Sequence, residues 1–226
     1  MFKKILASAD MSYEEFLIPL LLPIIVIFIV IIVTEALWRA KILRNEPARK
    51  LVHILVGTFV ASWAFFLDDK SIVLLAVAMF AVVLISRTFG IFRSIHSVTR
   101  KTWGELFFPL GIVACALLTD SPWIFAAAML HVSIADGLAA VVGVKYHRKY
   151  GYKVFHQQKT SVGTLTFFNA SLFITLATVL LAPELQGNLL IIVLVPLAST
   201  LAENLTPYGA DDLLVPLTVT GLLLSL

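Results

Sequence analysis

The stretch SIADGLAAVVGVKYHRKYGYKVFHQQKTSVGTL, residues 133–165, decides how the chain is organised. It places one acid, Asp136, inside an apolar run and continues through small residues into a strongly basic segment that reaches Lys159. A charged side chain inside an apolar membrane segment costs about 2.5–3.5 kcal/mol on insertion scales, so a paired or metal-bound role is the default hypothesis. The stretch therefore predicts a charged site at the edge of a hydrophobic region.

The composition around this stretch is that of a membrane protein. Hydrophobic residues make up 60% of the 226 residues and charged residues 14%, whereas soluble domains average about 45–50% and 25%. A soluble protein with a large apolar core is disfavoured, because the apolar runs repeat at lengths that suit a bilayer. We expect an all-α, polytopic membrane helical bundle in a single integral membrane domain, 1–226. The eight apolar segments are roughly 16–38, 51–67, 71–88, 105–119, 122–144, 163–182, 188–204 and 212–226.

The basic residues predict how these segments are oriented. All of the 17 lysines and arginines except Lys3, Lys4 and Lys70 fall in the loops that follow the first, third and fifth segments. Loops rich in Lys and Arg stay on the cytoplasmic side. The pattern predicts eight transmembrane helices with the basic loops in the cytoplasm and both termini on the other side. Asp136 would then lie about 12 Å from the cytoplasmic end of its helix.

The face of the fifth segment that carries Asp136 has little side-chain bulk. Ala140 and Gly143 follow the acid at helical spacing. Small residues allow another helix to pack closely, and they also allow a polar ligand to approach the backbone beside the carboxylate. Mg²⁺ binds one or two carboxylates together with substrate phosphates. We favour a site for a metal and a phosphate here, with close helix packing as the alternative.

Two basic patches are expected near the same membrane surface. The segment KTSVGT, residues 159–164, opens the sixth helix, where Thr160 or Ser161 can cap the helix and the amide groups with Lys159 can hold an anion. It is not a Walker A motif, since the required order of glycines and lysine is absent. Arg49, Lys50 and His53 open the second helix, either as a phosphate clamp or as an anchor for lipid headgroups.

Four acids complete the predicted site. They are Glu203, Asp211 and Asp212, which flank the turn between the last two helices, and Glu105, which begins the fourth helix. Near a metal they can serve as further ligands or as a general base. Solvated surface acids are the alternative, and the helix dipole alone favours an acid at the position of Glu105.

Three patches in this order make the chain resemble the CTP-dependent lipid kinases, which include dolichol kinase, phytol kinase and the yeast-type diacylglycerol kinase. That family is related to the phosphatidate cytidylyltransferases. The resemblance covers most of the chain from Arg49 onward, and the ordered set is specific whereas each patch alone is not. The patches are RKLVH at 49–53, ADGLAAVVG at 135–143 joined to KTSVGT at 159–164, and ENLTPYGADDLLVP at 203–216.

The resemblance implies CTP as the phosphoryl donor, Mg²⁺ as the metal, and a membrane lipid alcohol of the polyprenol, dolichol, phytol or diacylglycerol type as the acceptor. It implies a CTP site formed by Asp136, Gly143, Lys159, Thr160, Ser161 and Gly163, and phosphate binding by Arg49, Lys50 and His53. The expected metal ligands are Asp136, Asp211, Asp212 and Glu105. The expected catalytic residues are Asp136, Lys159 and, as the base, Glu203 or Asp211. One departure is Asp212, which stands where Asn is usual.

These expectations define a reaction and its rivals. In the expected reaction the lipid hydroxyl attacks the γ-phosphate of CTP at the cytoplasmic edge of the bilayer, and catalysis is mostly positioning and charge neutralisation. A phosphatidate cytidylyltransferase needs nearly the same parts but joins the lipid phosphate to the α-phosphate of CTP. An ion-coupled transporter, with Asp136 as the coupling site, is the alternative of another class. The expected partners are a nucleoside triphosphate, the lipid and the bilayer, with no nucleic acid.

Overall fold

In the computed structural model of the chain, the described residues are 13–43, 45–90, 102–155 and 157–226. They form eight helices and one short β-hairpin, so the expected all-α architecture is confirmed, with a small β addition. The helices are α1 Tyr13–Arg39, α2 Asn45–Ala61, α3 Asp69–Phe89, α4 Gly104–Leu118, α5 over 122–150, α6 Ser161–Leu181, α7 Leu189–Leu205 and α8 Asp211–Ser225. The strands are β1 Gly151–Val154 and β2 Gln157–Thr160.

Within the described part of the chain, four helical segments are long and apolar enough to cross a membrane. They are Ile18–Arg39, Asp69–Phe89, Pro122–Tyr146 and Ser161–Leu181, while α4 and α7 are shorter apolar helices. The outer surface of the bundle is apolar as well; Leu21, Ile25 and Ile29 of α1 are each more than half exposed. A surface of this kind suits contact with lipid tails, and the helical backbone satisfies its own polar groups there.

The central element is α5. In its most apolar stretch 72% of the residues are buried, against 22–28% in the corresponding stretches of the other three candidate spans. Its first part, Pro122–Leu130, packs against α2, α6 and α8. Polar side chains also join neighbouring helices of the bundle: the hydroxyls of Ser171 on α6 and Ser199 on α7 lie 3.0 Å apart. The bundle is therefore packed around α5, the most buried of the four candidate spans.

A π-turn interrupts α5 directly before Asp136. Residues His131–Ala135 adopt this wider helical turn, which shifts the backbone out of the ordinary i→i−4 hydrogen-bond pattern. The carbonyl of Val132 accepts a hydrogen bond from Nε2 of His53 at 2.8 Å. That contact fixes α2 against α5 one turn away from the acid. The π-turn therefore sets the direction in which Asp136 leaves the helix.

Two predicted boundaries are wrong. The second helix begins at Asn45 instead of 51, so Arg49, Lys50 and His53 lie within its first turns. The fifth continues to Tyr150, past the expected end at 144, and the strands Gly151–Val154 and Gln157–Thr160 then pair antiparallel, with Tyr152 opposite Lys159. Both errors arose because the boundaries followed hydropathy, while a helical backbone continues through charged residues.

The membrane sidedness stays a prediction. Part of the charge pattern that carries it lies outside the described residues, as do all twelve residues before α1. The basic residues in question are Lys3, Lys4, Arg44, Arg93, Arg100 and Lys101.

Candidate active site

Asp136 lies where α2, α5, α7 and α8 meet, and it belongs to two groups of side chains. In the first group, one carboxylate oxygen each from Asp136, Glu203 and Asp211 lie within 4.8 Å of one another. In the second, ligand atoms of His53, Asp136 and Asp212 meet the same criterion. The Asp136 residue is only 4% exposed. Glu203, Asp211 and Asp212, which lie far from Asp136 in the sequence, therefore converge on it.

Two lysines offset this negative charge. Lys50 of α2, 2% exposed, forms an ion pair with the Asp136 carboxylate. Lys159 of β2 pairs with the carboxylate of Glu203 and donates a second hydrogen bond to the Glu203 carbonyl at 2.9 Å. Buried charges of this kind are stable only when paired and hydrogen-bonded. Arg49, 6% exposed, adds a third cation on the same turn of α2.

The hairpin carries Lys159 to this position. Opposite Lys159 in the register is Tyr152, whose hydroxyl contacts Oγ1 of Thr164 at 2.6 Å and Oδ1 of Asn204. These contacts fasten the hairpin to the start of α6 and the end of α7. Although burial opposes the charge of Lys159, the carboxylates of Glu203 and Asp211 outweigh it and raise the pKa of Lys159. The lysine is therefore held as a cation beside the acids.

The turn between α7 and α8 presents Asp211 and Asp212. Gly209 adopts a φ of +87°, which favours glycine, and a Cβ there would collide with Thr102 and Gly104. The turn is thereby docked against the start of α4, where Trp103 N donates to the Tyr208 carbonyl at 2.9 Å. Burial and the adjacent carboxylates of Asp212 and Asp136 raise the pKa of Asp211.

His53 connects Asp212 to α5. Its Nε2 lies 3.3 Å from Oδ1 of Asp212 and 3.9 Å from Oδ2 of Asp136. Because the Val132 carbonyl can only accept a hydrogen bond, this nitrogen carries a proton. The ring also packs against Phe108 of α4, with 4.9 Å between the centroids. His53 is therefore oriented by contacts on three sides.

Gly143 and Gly163 form a close contact between α5 and α6. A Cβ added to Gly163 would lie 2.8 Å from Oγ1 of Thr160 and 3.0 Å from the Ala139 carbonyl. Thr160 caps α6, since its Oγ1 accepts a hydrogen bond from the Gly163 amide at 3.0 Å, while Ser161 is exposed. Helix packing and capping, the alternatives left open by the sequence, account for this geometry. A role in binding CTP stays a prediction for these residues.

Glu105 lies outside both carboxylate groups. Its Oε1 accepts a charged hydrogen bond from Arg87 of α3 at 2.7 Å. The guanidinium of Arg87 also lies 4.0 Å above the Trp103 ring and donates to the Thr102 carbonyl. The start of α4 faces the end of α3 at this point, so Glu105 joins those two helices. It was predicted to be a metal ligand only because it is an acid at the start of a helix in the sequence.

Several contributors were not singled out from the sequence. Tyr152 stands out only once β1 is known to be a strand, because its contacts follow from the hairpin register. Asn204 adjoins Glu203, and Arg87 ends α3 where a basic residue is expected on electrostatic grounds alone. Buried His131 binds the Ala127 carbonyl through Nδ1 at 2.7 Å and lies 3.4 Å from Oγ1 of Thr175 through Nε2. A histidine inside an apolar run was the available signal for this last contact.

The first carboxylate group fits a hard divalent cation. Its ligands are all oxygen atoms, which Mg²⁺ prefers, and in proteins such an ion usually completes its coordination with substrate phosphates and water. Oε2 of Glu203 is buried and has no hydrogen-bond partner among the described residues. A buried acceptor of this kind calls for a partner. The residues present therefore suit a Mg²⁺ ion held between Asp136, Glu203 and Asp211.

Fold and site together define an all-helical membrane protein with a buried acidic and basic centre at one end of its bundle. A phytol kinase from Synechocystis sp. is 32% identical over 195 residues, covering 83% of this chain and 82% of that protein. The chain belongs to the family of this lipid kinase. No family model matches the chain, and no solved structure matches it.

Proposed function

We propose that this lipid kinase transfers the γ-phosphate of CTP to the hydroxyl of a membrane lipid alcohol of the polyprenol, dolichol, phytol or diacylglycerol type. The observation that carries the proposal is the convergence of Asp136, Glu203 and Asp211 between Lys50 and Lys159. A phosphoryl transfer needs acids to hold Mg²⁺ and cations to offset the phosphate charge. The relation to a phytol kinase supports a long-chain alcohol as the acceptor.

The roles of the chain's own residues follow from their positions. Asp136, Glu203 and Asp211 would hold Mg²⁺, which when bound neutralises the charge on the phosphate oxygens. Lys50 and Lys159, now paired with acids, are placed to exchange those partners for phosphate oxygens. Arg49 would bind the remaining phosphates, and its fixed fork of donors suits that task.

Of the two candidate bases, Asp211 is favoured over Glu203. The Glu203 carboxylate already pairs with Lys159. Asp211 forms no ion pair among the described residues. In this scheme one oxygen of its carboxylate would hold Mg²⁺ and the other would accept the proton of the attacking hydroxyl.

The membrane arrangement belongs to the same proposal. All eight helices would cross or enter the bilayer, with both termini on the non-cytoplasmic side. The acidic and basic centre would then face the cytoplasm, where CTP is available. The positive charges of Arg49, Lys50 and Lys159 lie at that end, in agreement with the rule that basic segments stay inside.

Labelled CTP tests the proposal. Purified protein is incubated with Mg²⁺, a panel of lipid alcohols and phosphatidate, and CTP labelled at either the α- or the γ-phosphate. A kinase moves the γ-label into the lipid and releases CDP. Movement of the α-label into the lipid would instead show a cytidylyltransferase, and an absence of nucleotide turnover with ion-dependent uptake in vesicles would favour a transporter.

A further inference from the structure

A cavity of about 320 Å³ lies between α1, α2, α3 and α4. It is next to the site, and none of the four acids of the two carboxylate groups lines it. Its volume is in the range of small-molecule sites. Most of its lining is aliphatic or aromatic. The polar lining residues are Arg49, His53, Ser86 and Glu105.

Three of these polar residues mark one end of the cavity: Arg49 near the start of α2, Glu105 in the first turn of α4 and Ser86 in the last turn of α3. His53 lies one turn beyond Arg49, near the middle of α2. The opposite end is bounded by Trp63 and Leu75. Along α3 the lining extends from Leu75 to Ser86, about 16 Å of helical rise. That distance is close to half the thickness of a bilayer's hydrocarbon core, which is about 30 Å.

His53 joins the polar end to the site. It lines the cavity, and its Nε2 lies 3.3 Å from Asp212 and 3.9 Å from Asp136. Phe108, which packs on the same imidazole ring, also lines the cavity. A molecule that filled the cavity would therefore bring its polar end to the edge of the carboxylate groups.

The side of the cavity between α1 and α3 is open. Ile24 and Phe28 of α1 are each 39% exposed, and Val82 of α3 is 37% exposed, yet all three line the cavity. Ala78, one turn before Val82, also lines it and is exposed. The helices on both sides of this opening are candidate membrane spans with apolar outer faces. The opening therefore leads to the region where lipid tails lie.

We infer that the lipid alcohol enters sideways between α1 and α3, with its hydrocarbon tail in this cavity and its hydroxyl beside His53. The inference rests on the proposed function and adds to it the binding site of the acceptor. An apolar channel with polar groups at one end matches a molecule that has one hydroxyl and a long tail. A nucleotide, which is charged and polar throughout, would find no partners along most of this lining.

A pair of valine variants on α3 tests the inference. Val82→Trp fills the opening, whereas Val77→Trp is the matched control, because Val77 is 54% exposed on the same helix but does not line the cavity. With the long-chain alcohol that is active in the panel above, we expect Val82→Trp to raise KM by at least about tenfold, the effect of crowding a hydrophobic pocket. The KM for CTP should stay unchanged. With isoprenol, which lacks the long tail, Val82→Trp should raise the KM for the alcohol by a smaller factor.

The outcomes separate this inference from the proposed function. If the wild-type protein transfers no label from CTP to any alcohol, the proposed function fails. If the wild-type is active and Val82→Trp behaves like Val77→Trp, the cavity is not the acceptor site. Photolabelling covers the case in which Val82→Trp does not fold: a long-chain alcohol with a mid-chain diazirine should label α1 and α3 of the wild-type protein, and excess unlabelled alcohol should compete. Labelling of α6 or α7 instead would overturn the inference.

Discussion

Asp136 and Gly143 of α5 lie about two turns apart, and both were predicted from one motif to belong to the CTP site. Their surroundings in the structure differ. At Asp136 the side chain gathers Lys50, Glu203 and Asp211 from three other elements. At Gly143 the helix only approaches α6, with Gly163 and the Thr160 cap filling the contact. Small residues are explained by the packing they allow, whereas a buried charge requires further groups. We therefore expect the part of α5 at Asp136 to take part in the reaction and the part at Gly143 to pack against α6.

The largest effect is expected from Asp136→Asn. The change removes a carboxylate from both groups and leaves Lys50 buried without its ionic partner, so transfer of label from CTP should fall by at least about 100-fold. Stability should fall too, since breaking a buried pair costs about 3–5 kcal/mol. Activity per folded molecule and thermal unfolding in detergent measure the two effects.

The double variant Asp136→Asn with Lys50→Met is the control. It removes both charges together, so much of the stability should return while activity stays absent. Activity of Asp136→Asn close to that of the wild-type protein would show that Asp136, like Gly143, has no direct role in the reaction.

A smaller effect, on stability alone, is expected from Gly163→Ala. The added methyl group would meet Thr160 and the Ala139 carbonyl at or below 3.0 Å, and overpacking of this kind costs about 1–3 kcal/mol. The matched control is Gly221→Ala in α8, where an added Cβ meets nothing within 4 Å. Thermal unfolding compares the two. Unchanged stability of Gly163→Ala combined with a large rise in KM for CTP would contradict the packing role.

Two neighbouring hydroxyl residues, Thr160 and Ser161, distinguish helix capping from nucleotide binding at the start of α6. Thr160→Ala removes the cap of α6 and should cost about 1 kcal/mol, whereas Ser161→Ala alters an exposed side chain and should leave stability unchanged. The same unfolding assay measures both. A rise in KM for CTP with Ser161→Ala would be evidence for the nucleotide contact that the resemblance implies; a loss of stability there would contradict the assignment of the cap to Thr160.

The smallest effect is expected from Tyr152→Phe. The change removes the hydroxyl that holds the hairpin to Thr164 and Asn204, a loss of about 1 kcal/mol. Because Lys159 lies opposite Tyr152, the KM for CTP should also rise, by about fivefold if the same hydrogen-bond energy is lost from the bound state. Tyr150→Phe, at an exposed position just before the hairpin, is the control. Equal KM values for CTP in the two variants would show that the hairpin does not contribute to CTP binding.

The features that could be predicted are those that depend only on residues close together in the sequence. Apolar runs gave eight helices, since hydropathy marks each one independently of its neighbours. Asp136 stood out because a charge in such a run is costly. Lys50, Lys159, Glu203 and Asp211 could be assembled around it because their segments end on the same side.

Long-range geometry was beyond this kind of prediction. The π-turn at His131–Ala135 and the hairpin depend on contacts with other helices, and no local pattern marks either of them. Glu105 was grouped with the metal ligands by its place at a helix start, whereas its partner is set by how α3 and α4 pack. The cavity between α1 and α3 likewise arises from packing, and its first helix carried no diagnostic motif.

Binding of Mn²⁺, as a spectroscopic substitute for Mg²⁺, shows whether Asp136 is the centre of a metal site. Electron paramagnetic resonance of the purified protein with CTP should show a bound Mn²⁺ site in the wild-type protein. In the doubly substituted Asp136→Asn, Lys50→Met protein, which removes the shared carboxylate without leaving a buried lysine unpaired, that site should be lost. Equal Mn²⁺ binding by the two proteins would contradict the claim that Asp136 is the centre of the site.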